Sequence, residues 1–285
     1  MDNPISFISR SKHSTPFINF SLFVLIHIMV AYFLVWYLFN GIWNRELLAG
    51  IGKIILTFVF CHFIFSLGEY LFHRYILHAP TYEVMIRFYK KHVRHHQLTS
   101  IYIDESGHKI NSAYAIDSIE RDVAATFPPW TLAAFLGGFI PVFLILALFL
   151  PGIPIVICGC AALSLSYYLY EVVHVVHHEL YEICWERKIN SPFFGILWRK
   201  IYGFHQAHHA NYKCNLHVGG FFGVPVGDFI FGTYKQPREL LLPGIPATKE
   251  MIQELHPKPR WPITLFDRIS QRRKTRILSE NSKTD

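Results

Sequence analysis

The chain carries long apolar stretches that are free of charged residues. Residues 17–39 form the first, and these 23 positions would reach about 34 Å as an α-helix, enough to cross a bilayer. A second stretch, residues 54–72, is interrupted only by Glu69. A third, residues 123–170, is too long for one span, and the Pro-Gly-Ile-Pro segment at 151–154 divides it into two. The pattern predicts an all-α, multi-pass membrane protein with about four transmembrane helices.

Composition supports this interpretation. Of the 285 residues, 52% are hydrophobic and only 16% are charged, whereas soluble domains have about a quarter charged residues. The first apolar stretch is too long for a cleaved signal peptide and is not followed by a small-residue cleavage site, so we expect a retained helix. Five cysteines without framework spacing are interpreted as packing residues; they are Cys61, Cys158, Cys160, Cys184 and Cys214.

The placement of positive charge predicts the topology. The formal net charge is +7, and Lys and Arg concentrate after the second and fourth apolar helices and near the C-terminus. Cytoplasmic segments of membrane proteins carry such an excess, which also attracts anionic lipid headgroups. We therefore expect both termini in the cytoplasm and no nucleic-acid partner.

One histidine motif, His-x-x-His-His, recurs three times along the chain. It occurs as His92-x-x-His95-His96, His174-x-x-His177-His178 and His205-x-x-His208-His209, and a looser pair, His73-x4-His78, precedes the three. On a helix, positions i, i+3 and i+4 share one face, so each copy can direct imidazole nitrogens to one place. Neutral imidazole is the commonest metal-binding side chain. The repetition predicts a site for more than one metal ion.

Counting helices tests whether the four histidine groups can meet. With a cytoplasmic N-terminus, the second helix ends near His73 and the fourth near His174, so all groups lie on one side of the membrane. We expect two amphipathic helices, starting near Thr81 and Ser191, to form a cytoplasmic histidine-rich cap. In a straight helix His73 and His78 would lie about 140° apart, so this pair is expected to flank the site.

We expect one membrane-embedded domain over residues 1–285, with the histidine-box catalytic region at 73–234. Residues 100–116 break the helical periodicity and are interpreted as a solvent-exposed loop or small insertion. Residues 260–285 are interpreted as a flexible basic tail. The histidines outside the repeats are expected to be surface or incidental residues; they are His13, His27, His62, His108 and His256.

The residue types around the histidines narrow the choice of metal. The chain has no Cys-x-x-Cys, which disfavours a thiolate zinc site, and no inward Glu-x-x-His pattern of a carboxylate-bridged bundle. An all-nitrogen set of ligands suits iron, and open positions on iron permit oxygen chemistry. Zinc is expected to compete in purified protein.

The boxes and their order resemble the fatty acid hydroxylase superfamily, the membrane histidine-box di-iron oxygenases that include sterol desaturases and fatty acid hydroxylases. The likeness covers about residues 73–234 and includes the segment Tyr170, Glu171, His174 and His178 and the Gly227-Asp228 turn. The chain departs from the pattern in the insertion at 100–116 and in an extra histidine, His217. The resemblance implies ten ligands for two irons, namely His73, His78, His92, His95, His96, His174, His178, His205, His208 and His209. His177 and His217 are possible additional ligands.

The resemblance also implies a function. It points to a non-haem di-iron monooxygenase that uses O2 to hydroxylate a membrane lipid, with a fatty acyl or sphingolipid chain preferred over a sterol-like or other isoprenoid lipid. Desaturation uses the same oxidant and stays open. The fused haem domain of some members, marked by His-Pro-Gly-Gly, is missing from this chain, so a separate ferredoxin or cytochrome is expected to supply electrons.

Two other classes of function stay open at this point. A membrane haem electron carrier would need histidines paired across facing helices, and a metal transporter would need ionisable residues at mid-membrane, where only His27 and His62 occur. Four polar residues are candidates to hydrogen-bond the ligand imidazoles and fix their tautomers. These are Glu69, Tyr170, Glu171 and Asp228.

Overall fold

The structure is a computed structural model that describes residues 15–281. Within this range the chain is helical apart from its connections and one short hairpin. The helices are α1 (Thr15–Leu38), α2 (Asn40–Leu47), α3 (Ile51–Phe72), α4 (Ile86–Leu98), α5 (Ile119–Ala125), α6 (Thr131–Phe149), α7 (Ile155–His177), α8 (Glu186–Ile189), α9 (Gly195–Ala210), α10 (Val226–Phe231), α11 (Lys249–Gln253) and α12 (Ile263–Asn281). The strands are β1 (Ile101–Ile103) and β2 (Ile110–Ser112).

Four helices are long and apolar enough to cross a membrane, as predicted. They comprise Phe17–Leu38 of α1, Ile51–Leu77 of α3 and its extension, Thr131–Phe149 of α6 and Ile155–His177 of α7. Helix α7 packs against α1, α3 and α6 and is therefore the central helix of the bundle. The predicted apolar run at 123–170 begins earlier than the span does, because the Pro-Pro pair at 128–129 separates α5 from α6.

The short helix α2 ties together the helix ends that lie away from the histidines. Buried Glu46 accepts hydrogen bonds from the backbone N–H groups of Val156 (3.0 Å) and Ile157 (2.9 Å) at the start of α7. Arg45 donates to the carbonyl of Ala147 near the end of α6 (2.8 Å). Both groups satisfy helix-terminal backbone atoms, and their charges match the helix dipoles.

The opposite end of the bundle, where α3 and α7 finish, is named here the histidine end. Helices α4 and α9 lie over it, as predicted, but both begin later than expected. Helix α4 starts at Ile86 after a 3-10 turn, since the hydroxyl of Thr81 pairs with Ser270 (3.0 Å) instead of capping a helix. Helix α9 starts at Gly195, because residues 192–194 form a turn.

Residues 100–116, predicted to be a solvent-exposed loop or small insertion, contain a short hairpin and are not a structureless loop. Strands β1 and β2 pair antiparallel, with Ile101 opposite Ser112. Ile101, Ile110 and Tyr114 are buried in a core shared with α9. The segment is too short for a clear period-two pattern, yet its β-branched residues favour a strand once one face can be buried.

A second correction concerns the tail at 260–285. Residues Ile263–Asn281 form α12, and the start of this helix packs on the histidine end. Ile263 is fully buried, and Asp267 accepts two hydrogen bonds from Arg74 (2.8 and 2.7 Å). The high density of basic residues concealed this amphipathic helix, whose stability depends on tertiary contacts.

Candidate metal centre

A π-helical turn presents the first two histidines. Helix α3 continues as a π-helix over His73–Leu77, and the N–H of His78 bonds to the carbonyl of His73 (3.1 Å). Five residues then complete about one turn, so the two imidazoles stack with ring centroids 5.0 Å apart. The expected separation of about 140° was wrong, because it assumed an unbroken α-helix.

The ten predicted ligands form two clusters of five. In each cluster, one nitrogen from every member lies within 4.8 Å of the others. The first cluster comprises His73, His78, His92, His96 and His208; the second comprises His95, His174, His178, His205 and His209. The clusters are adjacent, since the rings of His96 and His209 stack with centroids 4.2 Å apart.

Helical periodicity explains this division, which spacing alone did not settle. On α4, His92 and His96 are four residues apart and join the first cluster, whereas His95 turns to the second. On α9 the residues four apart, His205 and His209, join the second cluster, and His208 between them joins the first. Both helices therefore lie across the two clusters and bridge them.

Backbone carbonyls orient four of the imidazoles. The Nδ1 atom of His73 lies 2.6 Å from the carbonyl oxygen of Leu216, and that of His178 lies 2.6 Å from the carbonyl of Tyr114. Corresponding contacts join His208 to the Cys214 carbonyl (2.8 Å) and His209 to the Thr99 carbonyl (3.0 Å). A carbonyl only accepts, so each Nδ1 carries the proton and each Nε2 keeps its lone pair. No side-chain pattern could have revealed these partners.

The facing Nε2 atoms show that the clusters fit cations. The Nε2 atom of His205 lies 3.1 Å from that of His178 and 3.2 Å from that of His209. His178 and His209 both direct lone pairs inward, and a proton on His205 could serve only one of them. Buried His95 has no hydrogen-bond partner at either nitrogen among the described residues. Such unsatisfied groups cost about 1–3 kcal/mol each, which a shared metal ion would offset.

Burial also keeps the imidazoles neutral, which is the protonation state that can bind a metal ion. Burial lowers the pKa of His208 to about 4 and holds the pKa of His95 and His205 well below the ordinary value, with neighbouring histidines adding to the shift. Protonation therefore does not supply positive charge to the site near neutral pH. Neutral imidazole is a metal-binding group, so each cluster could hold a metal ion.

The carboxylates predicted to bond the imidazoles bind backbone amides instead. Asp228 accepts from the N–H groups of Leu216 (3.0 Å) and His217 (2.8 Å) and from the Thr233 hydroxyl (2.6 Å). Asp228 thereby positions Leu216, whose carbonyl accepts the hydrogen bond from Nδ1 of His73. Glu171 accepts from the N–H of Phe127 (2.9 Å).

Tyr170 makes ring contacts with both clusters. Its centroid lies 5.9 Å from that of His73 in the first cluster and 5.5 Å from that of His174 in the second. Tyr170 was predicted to hydrogen-bond the ligand imidazoles, whereas the contacts found with His73 and His174 are ring contacts.

Glu69 and His62 support a loop that descends beside the spanning part of α3. Glu69 accepts from the N–H groups of Gly219 (2.8 Å) and Gly220 (3.2 Å), and His62 Nε2 accepts from Phe222 (3.2 Å). Irregular backbone at membrane depth requires such protein partners. A side chain at Gly219 would lie 2.6 Å from the Tyr170 amide, so glycine permits the close approach. His62 is therefore a structural residue and not an incidental one.

The two possible additional ligands lie outside both clusters. His217 accepts from the N–H of Gly227 at Nδ1 (2.8 Å), and its Nε2 lies 3.9 Å from Glu69. His177 is buried between the rings of His205 and Trp185.

The other histidines that the structure describes are not members of either cluster. His108 and His256 are exposed, as predicted, and His27 contacts the carbonyl of Phe23. His13 lies outside the described residues.

An apolar cavity of about 160 Å³ leads from the bundle to the first cluster. It lies between α3, α6 and α7 and reaches His73. Its walls are mainly aromatic, with Phe65, Phe72, Phe127, Phe135, Phe139 and Tyr170 among the lining residues.

No family model, curated protein or solved structure matches this chain. The resemblance to the fatty acid hydroxylases therefore stays a prediction from the sequence motifs.

Proposed function

We propose that the protein is a di-iron, O2-dependent lipid hydroxylase acting on a fatty acyl or sphingolipid chain. One observation carries the proposal: two adjacent all-imidazole clusters lie at the end of four membrane-spanning helices, where an apolar cavity reaches His73. A chain that enters from the bilayer would meet the first cluster without crossing water.

In this proposal the metal ions would carry out the oxidation, and the protein would provide their binding site and the lipid cavity. Iron bound by the two clusters would supply the O2 chemistry that replaces a C–H bond by C–OH, with two external electrons and two protons reducing the second oxygen atom to water. The ten neutral imidazoles of the two clusters would hold the ions. The aromatic cavity orients the lipid chain and excludes water.

The electron donor is proposed to be a separate ferredoxin or cytochrome. Arg87 and Lys90 are exposed on α4, which carries ligands of both clusters, and they offer positive charge to an acidic donor. Arg94 on the same helix is paired with Glu120, and Lys91 is half-buried. Docking through α4 would place the donor on the cytoplasmic side if the histidine end faces the cytoplasm, as the distribution of Lys and Arg predicts.

Metal content and lipid oxidation test the proposal together. Purified protein reconstituted with iron, lipid substrate and a reducing system should contain two irons per chain and yield hydroxylated lipid by mass spectrometry. His95→Ala and His208→Ala each remove one ligand, one from each cluster, and should abolish the product. His108→Ala is the matched control, because His108 is exposed and outside the clusters.

Three outcomes would contradict the proposal. Full activity in both cluster variants would exclude the clusters as the reactive site. A Soret absorbance band would indicate a haem carrier, and metal uptake into vesicles without lipid oxidation would indicate a transporter. A double bond in the product would instead identify a desaturase that uses the same site.

A further inference from the structure

A second cavity, of about 760 Å³, lies on the other side of the first cluster. It is open to the surface and is bordered by the π-helical turn after α3, the loop after α9, the segment at 256–259 and residues 267–275 of α12. This volume falls in the range of about 300–1,000 Å³ that is typical of small-molecule sites. Its lining differs from that of the apolar cavity, since five of its side chains are cationic and one is anionic.

The floor of the cavity is built from paired groups, of which Arg74 is buried and Tyr75 and Asp267 are partly buried. Arg74 binds both oxygens of Asp267, and the Tyr75 hydroxyl donates to the same carboxylate (2.9 Å). Arg74 also donates to the carbonyl of Lys213 (3.2 Å). These contacts fix α12 against the histidine end. They also pair the one acidic side chain of the lining, Asp267, with Arg74.

Four cations remain for a ligand. Lys213, Arg268, Arg272 and Lys274 line the cavity, and none forms an ion pair with another residue in the range 15–281. Arg268 and Arg272 are one helical turn apart, where like charges destabilise a helix by about 0.2–0.5 kcal/mol. An anion between them would relieve this repulsion. Arginine is well suited to phosphate, because its planar fork donates two parallel hydrogen bonds.

The inner wall of the cavity belongs to the metal centre. His78 lines the cavity, and the exposed ring of Tyr212 stacks on it with centroids 5.2 Å apart. A ligand held by the cations would therefore lie next to the first cluster.

We propose that this cavity, the cationic cavity, binds a phosphate-bearing ligand beside the first cluster. The ligand is either the headgroup of an anionic lipid or a soluble phosphate compound, since both present the same group to the arginines. The site does not require the oxygenase activity proposed above. Its failure and the failure of that function can therefore be told apart.

Equilibrium binding to the whole protein tests the site. Protein in nanodiscs of zwitterionic lipid is titrated with radiolabelled inorganic pyrophosphate, and the titration is repeated with phosphatidic acid included in the nanodiscs. We expect saturable binding of one pyrophosphate per chain that weakens as salt is raised. Loss of pyrophosphate binding in the second titration would assign the site to a lipid headgroup, and unchanged binding would assign it to a soluble compound.

A double substitution locates the binding. Arg268→Gln with Arg272→Gln should weaken pyrophosphate binding by about tenfold or more, because two charged hydrogen-bond donors are removed. The control is Arg187→Gln with Arg199→Gln, which removes the same charge from exposed positions outside the cavity and should leave affinity within about twofold. Metal content and thermal stability should not change in either variant.

The proposal is overturned by the absence of saturable binding in the wild-type protein. It is also overturned if the two double variants weaken binding equally, since that result would indicate only a general effect of net charge.

Discussion

The two histidine clusters each contain five imidazoles but have different surroundings. In the first cluster His78 and His96 are half-buried, and its members line both the apolar and the cationic cavity. All five members of the second cluster are buried, and none of them lines either cavity. Molecules that arrive from lipid or from water therefore meet the first cluster. The second cluster is enclosed by protein.

The clusters also differ in what holds their rings. His73 and His208 of the first cluster are anchored by the carbonyls of Leu216 and Cys214. In the second cluster His178 and His209 are anchored in the same way, but neither nitrogen of His95 or of His174 has a hydrogen-bond partner among the described residues. Access to a cluster and dependence on a metal ion are therefore separate properties, because the enclosed cluster contains the two rings that most require a metal.

The largest expected effect comes from removing one of these two unpartnered rings, that of His95. His95→Ala should empty the second cluster and lower the free energy of unfolding by about 2–4 kcal/mol, because it also leaves a buried cavity. His78→Ala should empty the first cluster but cost about 1 kcal/mol or less, since His78 is partly exposed. Metal analysis and thermal unfolding measure both quantities. Equal destabilisation by the two variants would contradict the difference in burial between His95 and His78.

Asp228→Asn should affect only the first cluster. The carboxylate holds the Leu216 amide, and the Leu216 carbonyl holds His73, so its loss acts through one intermediate residue. We expect the metal affinity of the first cluster to fall by about tenfold. A competition titration with a chelator would resolve the two ions. The second cluster is the internal control, and its release in parallel with the first would point to general unfolding.

Acidification tests a property that the clusters share. The pKa of His208 is lowered by burial to about 4, and the pKa of His95 and His209 is also held well below the ordinary value. Below about pH 6.5 the unfolded chain binds protons that the folded protein does not, so stability falls as pH decreases, by up to about 1.4 kcal/mol per pH unit for each such histidine.

Thermal unfolding of metal-free protein between about pH 7.5 and about pH 5 measures this loss of stability. A melting temperature that stayed constant over this range would mean that the imidazoles are not buried as described.

The smallest effect is expected from Thr99→Val. The Thr99 hydroxyl lies 3.1 Å from Nδ1 of His209, but the Thr99 carbonyl lies 3.0 Å from the same nitrogen and remains in the variant. Stability should change by less than about 1 kcal/mol. Both metal ions should be retained in elemental analysis. Loss of the second ion alone would show that the hydroxyl, and not the carbonyl, orients this ring.

Local patterns were sufficient for the helices that cross the membrane. Long uncharged runs have few alternatives to a spanning helix, because backbone groups in lipid must be paired within the segment. Short or mixed segments were less predictable. The hairpin β1–β2 and helix α12 are stabilised by distant contacts, such as Tyr114 with the core under α9 and Asp267 with Arg74.

The sequence by itself determined the four apolar helices and the ten histidines that meet at one end, since both follow from residue type and helical period. Only the tertiary structure decided how the histidines divide into two clusters, which carbonyls orient them and which cluster the cavities reach. Those features depend on a π-helical turn and on backbone atoms from distant loops. Backbone atoms are chemically alike at every residue, so only folding selects which of them meet the imidazoles.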